Sequence, residues 1–166
     1  MTRWLLALAF AGALAACGGG GTSTPSATLA TSPTTAHATT STSVEAEVEA
    51  AYLKSWDVYI DAVRTFDTSK LAAVYTGKAL ELRTKEVARL RADNTPAKTV
   101  VTHHVKNIEL HGSDEAVVHD DYENHSVLTD GKTGQPIEAD PNDTVSRQYV
   151  MHRLEGAWKV WLVVAP

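Results

Sequence analysis

The sequence predicts an α+β domain in which N-terminal helices pack on one face of a curved four-stranded antiparallel sheet, forming a cone or half-barrel. Three observations carry this. Apolar residues recur at three- and four-residue steps from Val44 onward, the spacing of a buried helical face. After Pro96 the period falls to two, and β-branched residues become frequent. Turn residues then divide the remainder into four strand-like stretches, and helices followed by consecutive strands define the α+β class.

The first helix is read from Val44, Val48, Ala51, Tyr52, Trp56, Tyr59, Val63 and Phe66, which share one face. Thr42, Ser43, Val44 and Glu45 fit a capping box, and Glu45, Glu47 and Glu49 suit the positive end of the helix dipole. Asp67, Thr68 and Ser69 restart the chain into a short helix over 69–75, and Thr76-Gly77 punctuates. A third helix is expected over 78–92, with Leu80, Val87 and Leu90 inward. It ends at Asp93-Asn94-Thr95-Pro96, because a residue before proline avoids helical geometry. Strands are expected over 99–110, 116–128, 144–154 and 157–164, with a loop over 129–143. Glu155-Gly156 is a tight hairpin turn, and Trp158, Val160, Leu162 and Val164 are placed on one strand face.

Residues 1–16 read as a processing segment. Arg3 gives a positive start, and the apolar run from Trp4 to Ala16 has 13 residues, too few for a stable membrane span. The run ends in Leu14-Ala15-Ala16-Cys17, which resembles the bacterial lipobox. The resemblance implies cleavage before Cys17 and acylation of its thiol with palmitate-type chains, making the product a membrane-anchored lipoprotein on the extracytoplasmic face. Cys17 is the only cysteine, so the domain has no internal disulfide to rely on. Residues 17–43 then read as the lipidated Cys and a disordered linker. Of the 26 residues in 18–43, 20 are Gly, Pro, Ser or Thr and none is charged, so the segment cannot bury enough apolar surface to offset its ordering. As a flexible coil it spans about 30 Å. Residues 44–166 make one domain of 123 residues.

Without Arg3 the chain carries 14 Lys and Arg against 20 Asp and Glu, a net charge of −6, and it has no dense basic patch. Nucleic acid is therefore not expected as a partner, and adhesion to anionic lipid falls to the anchor alone.

The order of helices and strands, with the ending Leu154-Glu155-Gly156-Ala157-Trp158-Lys159-Val160-Trp161, resembles the nuclear transport factor 2-like superfamily, which includes SnoaL-like cyclases, ketosteroid isomerase and scytalone dehydratase. Leu71, Val74-Tyr75-Thr76-Gly77, Leu80, Val105, Ile108, Ala116-Val117-Val118, Glu123, Leu128-Thr129-Asp130, Tyr149, Arg153 and Gly156 to Val160 resemble most the domain of plastid-division proteins that faces the intermembrane space. The likeness covers nearly all of 44–166. It implies a cone-shaped domain, and because those division domains are interaction modules, it implies binding rather than catalysis. The chain has no residue-by-residue match to the catalytic sets of the enzymes, and none is carried over.

His103, His104, His111, His119, His125 and His152 lie on or beside the expected strands. His103 and His104 face opposite sides, and no His-x-His or Glu-x-x-His pair occurs, so an exposed scatter is expected and neither a metal nor another cofactor. His119, Asp121 and Glu123 share one strand face, to which Tyr52 or Tyr59 could bring a hydroxyl from the first helix for acid–base work. The competing face of Ala116, Val118, Asp120 and Tyr122 begins more apolar, which places His119, Asp121 and Glu123 outside. Trp56, Tyr59, Trp158 and Trp161 are the aromatic candidates for a pocket or contact. The last two have opposite parity, so one belongs to the core and the other to the outer sheet face.

The expected function is a tethered, non-catalytic binding or interaction domain, with a small apolar ligand, an envelope protein or a second copy of the chain as partner. The alternative is a lyase or isomerase acting on an apolar molecule inside the cone.

Overall fold

The computed structural model describes residues 43–138 and 140–165. The processing segment, Cys17 and nearly all of the linker lie outside the described residues. Three helices, α1 (Val44–Thr65), α2 (Leu71–Val74) and α3 (Gly77–Asp93), precede six strands: β1 (Ala97–Lys98), β2 (Val101–His111), β3 (Glu115–Asn124), β4 (Val127–Leu128), β5 (Asp143–Leu154) and β6 (Ala157–Val164). The main sheet is an antiparallel meander in the order β2-β3-β5-β6, and β1 pairs with β4 in a separate two-stranded ladder. The sheet is not closed into a barrel. The fold class is the α+β cone that the change of period predicts.

The core lies between the helices and one face of the sheet. Val48, Tyr52, Trp56, Tyr59 and Val63 of α1, with Ala79, Val87 and Leu90 of α3, pack against Ala116, Val118, Tyr149, Met151, Trp158 and Val160. Each fully buried Val, Leu or Met there contributes roughly 1.5–3 kcal/mol of hydrophobic stabilisation.

The cap of α1 falls one residue later than the capping box requires. Ser43 is the N-cap, and its Oγ accepts from the Ala46 N–H at 3.2 Å. The third helical position is then Ala46, which has no side chain to return the bond. At the other end Phe66 takes a left-handed conformation, and the Arg91 guanidinium donates to its carbonyl oxygen, tying α1 to α3. The second helix is shorter than the expected 69–75, because Thr68 to Lys70 form a turn in which Asp67 Oδ1 accepts from the Ser69 N–H at 2.9 Å.

Three strand expectations need correction. The stretch 116–128 is two strands. At its break the His125 N–H donates to the Val100 carbonyl and the Ser126 N–H to Asn124 Oδ1, so the chain leaves the main sheet before β4. The stretch 99–110 is one strand, β2, starting at Val101, and it is preceded by an unexpected two-residue strand, β1, which pairs with β4 instead of joining the sheet. On β6, Val160 pairs with Met151 and Leu162 with Val150, leaving Trp161 as a bulge. A bulge reverses side-chain parity beyond it. Val163, rather than Leu162 and Val164, therefore joins Trp158 and Val160 on the core side.

Two contacts fix the parts that frame the cone. The junction of α2 and α3 covers the free edge of β6. Tyr75 bridges to Val160, the Thr76 N–H donates to the Val160 carbonyl at 2.8 Å, and Lys159 Nζ donates to the Ala72 carbonyl. The loop after β4 is pinned to the end of α3, where the Gly131 N–H donates to the Asn94 carbonyl at 2.9 Å. A Cβ on Gly131 would lie 2.4 Å from Asn94 Oδ1, so only glycine allows this approach.

Candidate functional site

The inner face of the sheet carries one buried carboxylate. On β3, Ala116, Val118 and Asp120 are all buried, and alternation sends His119 and Asp121 outward. Asp120 Oδ2 accepts from the Tyr52 hydroxyl at 2.6 Å and lies 2.6 Å from His103 Nδ1, while Oδ1 accepts from the His104 backbone N–H at 2.8 Å. The Tyr52 oxygen in turn accepts from Trp56 Nε1 at 2.9 Å. α1 supplies Tyr52 and Trp56 four residues apart on one face, β2 supplies His103, and β3 supplies the acid.

Burial raises the carboxyl pKa of Asp120, but the bonds from His103 and Tyr52, the His103 charge when present and the His104 N–H outweigh it, so the group sits below the usual carboxylate range. Burial also drives the hydroxyl pKa of Tyr52 far up, with the Asp120 carboxylate adding to the shift, so the phenol stays protonated and donates.

Beside this network a cavity of about 230 Å³ opens between α1, α3 and the β1–β4 ladder. Trp56, Tyr59 and Tyr122 form its aromatic wall, and Leu90, Ala97, Val101, Val127 and Leu128 its aliphatic one. Arg83 of α3 also lines it. The guanidinium carbon lies 4.0 Å from the Tyr59 ring centroid and 5.5 Å from that of Trp56, and Nη1 donates to Glu86 at 3.0 Å. Burial works against the Arg83 charge, but Tyr59, Tyr75 and Glu86 around it more than compensate, and the side chain stays cationic. The His103 ring lies 4.9 Å from Trp56 and 6.0 Å from Tyr122, just behind the wall these two make.

The residues singled out in the sequence are thus divided. Trp56 and Tyr59 face the cavity. His119 and Asp121 lie on the opposite side of the sheet, His119 Nε2 3.0 Å from Glu109 and Asp121 accepting from the Ser146 hydroxyl. Trp158 is in the core. Trp161 stacks on His152 at 4.8 Å, nearly parallel, with its indole also against Gly77. The exposed scatter expected of the histidines fails at His103, which is nearly buried.

Arg83 was not singled out, and the placing of Asp120 and Tyr122 on the inward face and of His103 among the histidines did not join these three into a site, although the signal was present. The parity that puts Ala116 and Val118 inside puts Asp120 there too, and that of Val101 and Val105 does the same for His103. Arg83 stands three residues after Leu80 and four before Val87, on the inward stripe of α3.

The fold is an α+β cone similar to that of solved nuclear transport factor 2-like and cystatin-like structures, with a buried polar network on the inner sheet face and a small cavity beside it. The intermembrane-space region of the chloroplast protein ARC6 superposes with a TM-score of 0.62 at 16% identity, over 70% of this chain and 92% of that one. A ketosteroid isomerase-like protein from Erwinia carotovora aligns with a TM-score of 0.45 at 16% identity, over 73% and 96% of the two chains. A hexachlorocyclohexane dehydrochlorinase, LinA type 2, aligns with a TM-score of 0.46 at 14% identity, over 69% and 81%. No family model matches the chain, and no curated protein matches it. Among the described residues, no helix is long and apolar enough to cross a membrane.

Proposed function

We propose that this domain binds a small molecule in the cavity walled by Trp56, Tyr59 and Tyr122, and that a lipid on Cys17 holds it on the extracytoplasmic face of a membrane. The cavity is the observation that carries the binding reading: three aromatic rings and an aliphatic wall meet seven polar side chains, four of them charged, so the concave site can take both a flat body and a polar group. At about 230 Å³ it is smaller than the roughly 300–1,000 Å³ of drug-sized sites, so the ligand is small. The cavity is what favours a small ligand over a docking partner, whether an envelope protein or a second copy. The outer sheet face is mixed: His104 lies 3.2 Å from Glu123 and His152 3.4 Å from Glu115, while Val117, Val150 and Leu162 form an apolar row across β3, β5 and β6. The lipobox-like Leu14 to Cys17 supports the tether.

Amide and indole N–H NMR spectra, recorded while small aromatic fragments are added, test the site. Shifts concentrated at Trp56, Tyr122 and Arg83 are expected. Fragments that move only outer-face residues such as His119 would refute it.

One observation favours a second reading, a lyase or isomerase. A neutral His103 whose Nδ1–H is held by Asp120 would present its Nε2 lone pair, the arrangement of a general base. On that reading His103→Gln abolishes deuterium exchange at an acidic C–H of a bound ligand while leaving its affinity within a factor of about two. Unchanged exchange in the variant would remove the reading.

A further inference from the structure

The cavity holds a cation whose donors are not all used. Arg83 is only 11% exposed in its side chain; its Nη1 donates to Glu86, and the Tyr75 hydroxyl also lies within its reach. Its Nε–H is buried with no partner. A guanidinium is a planar fork that pairs best with a carboxylate through two parallel bonds, and a buried donor left unpaired is costly.

The other charged groups of the cavity are already engaged. Glu86 takes Arg83 Nη1, Arg89 pairs with Asp93 at 3.3 Å, and Glu138 accepts from the Leu128 N–H at 2.7 Å. The hydroxyl of Tyr149, whose ring packs 4.7 Å from that of Tyr52, is also buried near Arg83. The unfilled hydrogen-bonding capacity therefore collects at Arg83. Around it stand the aromatic wall and the aliphatic residues, which suit a flat apolar body.

Building on the binding reading above, we propose that the ligand is a small aromatic or unsaturated carboxylate, its carboxylate paired with Arg83 and its flat body against Trp56, Tyr59 and Tyr122. Arg83 is then the specificity-determining residue. The stacking on Tyr59 holds the guanidinium plane in place before the ligand arrives, so little order is lost on binding. With Nη1 on Glu86, Nη2 is the donor left for the ligand, and the buried Nε–H lies behind it.

The test is calorimetric titration of the full chain at neutral pH with benzoate, phenylacetate and cinnamate, each against its neutral amide of nearly the same shape. At least one acid is expected to bind about tenfold or more tightly than its amide. Arg83→Met should erase that preference, and Arg83→Lys should keep part of it, since an ammonium retains the charge but not the fork. The acid–amide comparison in the unaltered chain stands even if a variant folds poorly. Equal binding of acids and amides, with Trp56 and Tyr122 shifting in NMR spectra, would overturn the carboxylate inference and leave the cavity reading standing. Binding of none of the six would overturn both.

Discussion

Asp120 and His103 meet on the diagonal of the β2–β3 ladder. In register Asp120 faces Val105 and His103 faces Tyr122, yet the Asp120 carboxylate and His103 Nδ1 are 2.6 Å apart. Diagonal neighbours on one sheet face are within reach of long side chains. The offset lets Oδ1 of the same acid accept from the His104 backbone N–H while Oδ2 serves Tyr52 and His103. The acid thus joins two strands and a helix through a group that must be ionised to do so.

Asp120→Asn should cost roughly 2–3 kcal/mol at pH 7, because bonds to a buried charged acceptor become bonds to an amide that also brings donors of its own. The acid limb should change as well. The Asp120 carboxyl sits below its ordinary range in the folded chain. Its stabilisation is therefore complete above the unfolded carboxyl value, about 4, and is lost as pH falls through the folded value. Urea melts from pH 2 to 7 should show a shallower loss in the variant than in the parent. An equally steep loss would assign acid sensitivity elsewhere.

Tyr52→Phe removes one oxygen that donates to Asp120 and accepts from the Trp56 indole N–H. Leaving both partners short should destabilise the domain by roughly 1–3 kcal/mol. The Asp120 carboxyl should rise toward its ordinary value, which shrinks the pH-dependent part of stability. Carboxyl carbon shifts followed against pH measure the second effect directly.

Gly77→Ala should destabilise by about 1–3 kcal/mol through overpacking. A Cβ at this position would stand 2.4 Å from both Cδ1 and Nε1 of Trp161, and the backbone φ is +51°. Trp161→Ala should recover the overpacking part but not the backbone part. A double-mutant cycle by urea denaturation would show this as a favourable coupling of the two substitutions, and strict additivity would deny the contact.

Cys17→Ser should release a folded domain into the soluble fraction, with the mass increment of acylation absent. Persistent membrane association of this variant in fractionated cells would point to a second attachment and contradict the tether proposed for residues 17–43.

Much of the fold was legible in the sequence. The change of period at Pro96 separates helices from strands, and the α1 stripe from Val48 to Val63 is buried as the spacing predicts. Misreadings arose where one residue changes the count. Trp161 bulges and reverses the parity of β6, and the break at His125 diverts β4, yet neither has a local sequence mark. The site was less legible for a different reason. Trp56 and Tyr59 stand out as large aromatics on an amphipathic face. Asp120 and His103 resemble ordinary surface residues until their parity is compared with that of Val118 and Val105. A polar residue at an inward position is the informative mark, and several exposed histidines and acids beside these two conceal it.

The covered edge of β6 gives the sheet a handed capacity for growth. Backbone groups near Val160 are occupied by Thr76 and Tyr75, whereas β2, eleven residues long, has only β3 as a strand partner among the described residues. A chain extending this sheet must add at β2, where the Lys106 bulge and the charged residues near it oppose a flat approach. Two copies joined β2 to β2 would consume both long free edges. Strand pairing would then terminate at a closed pair and could not propagate into a fibre.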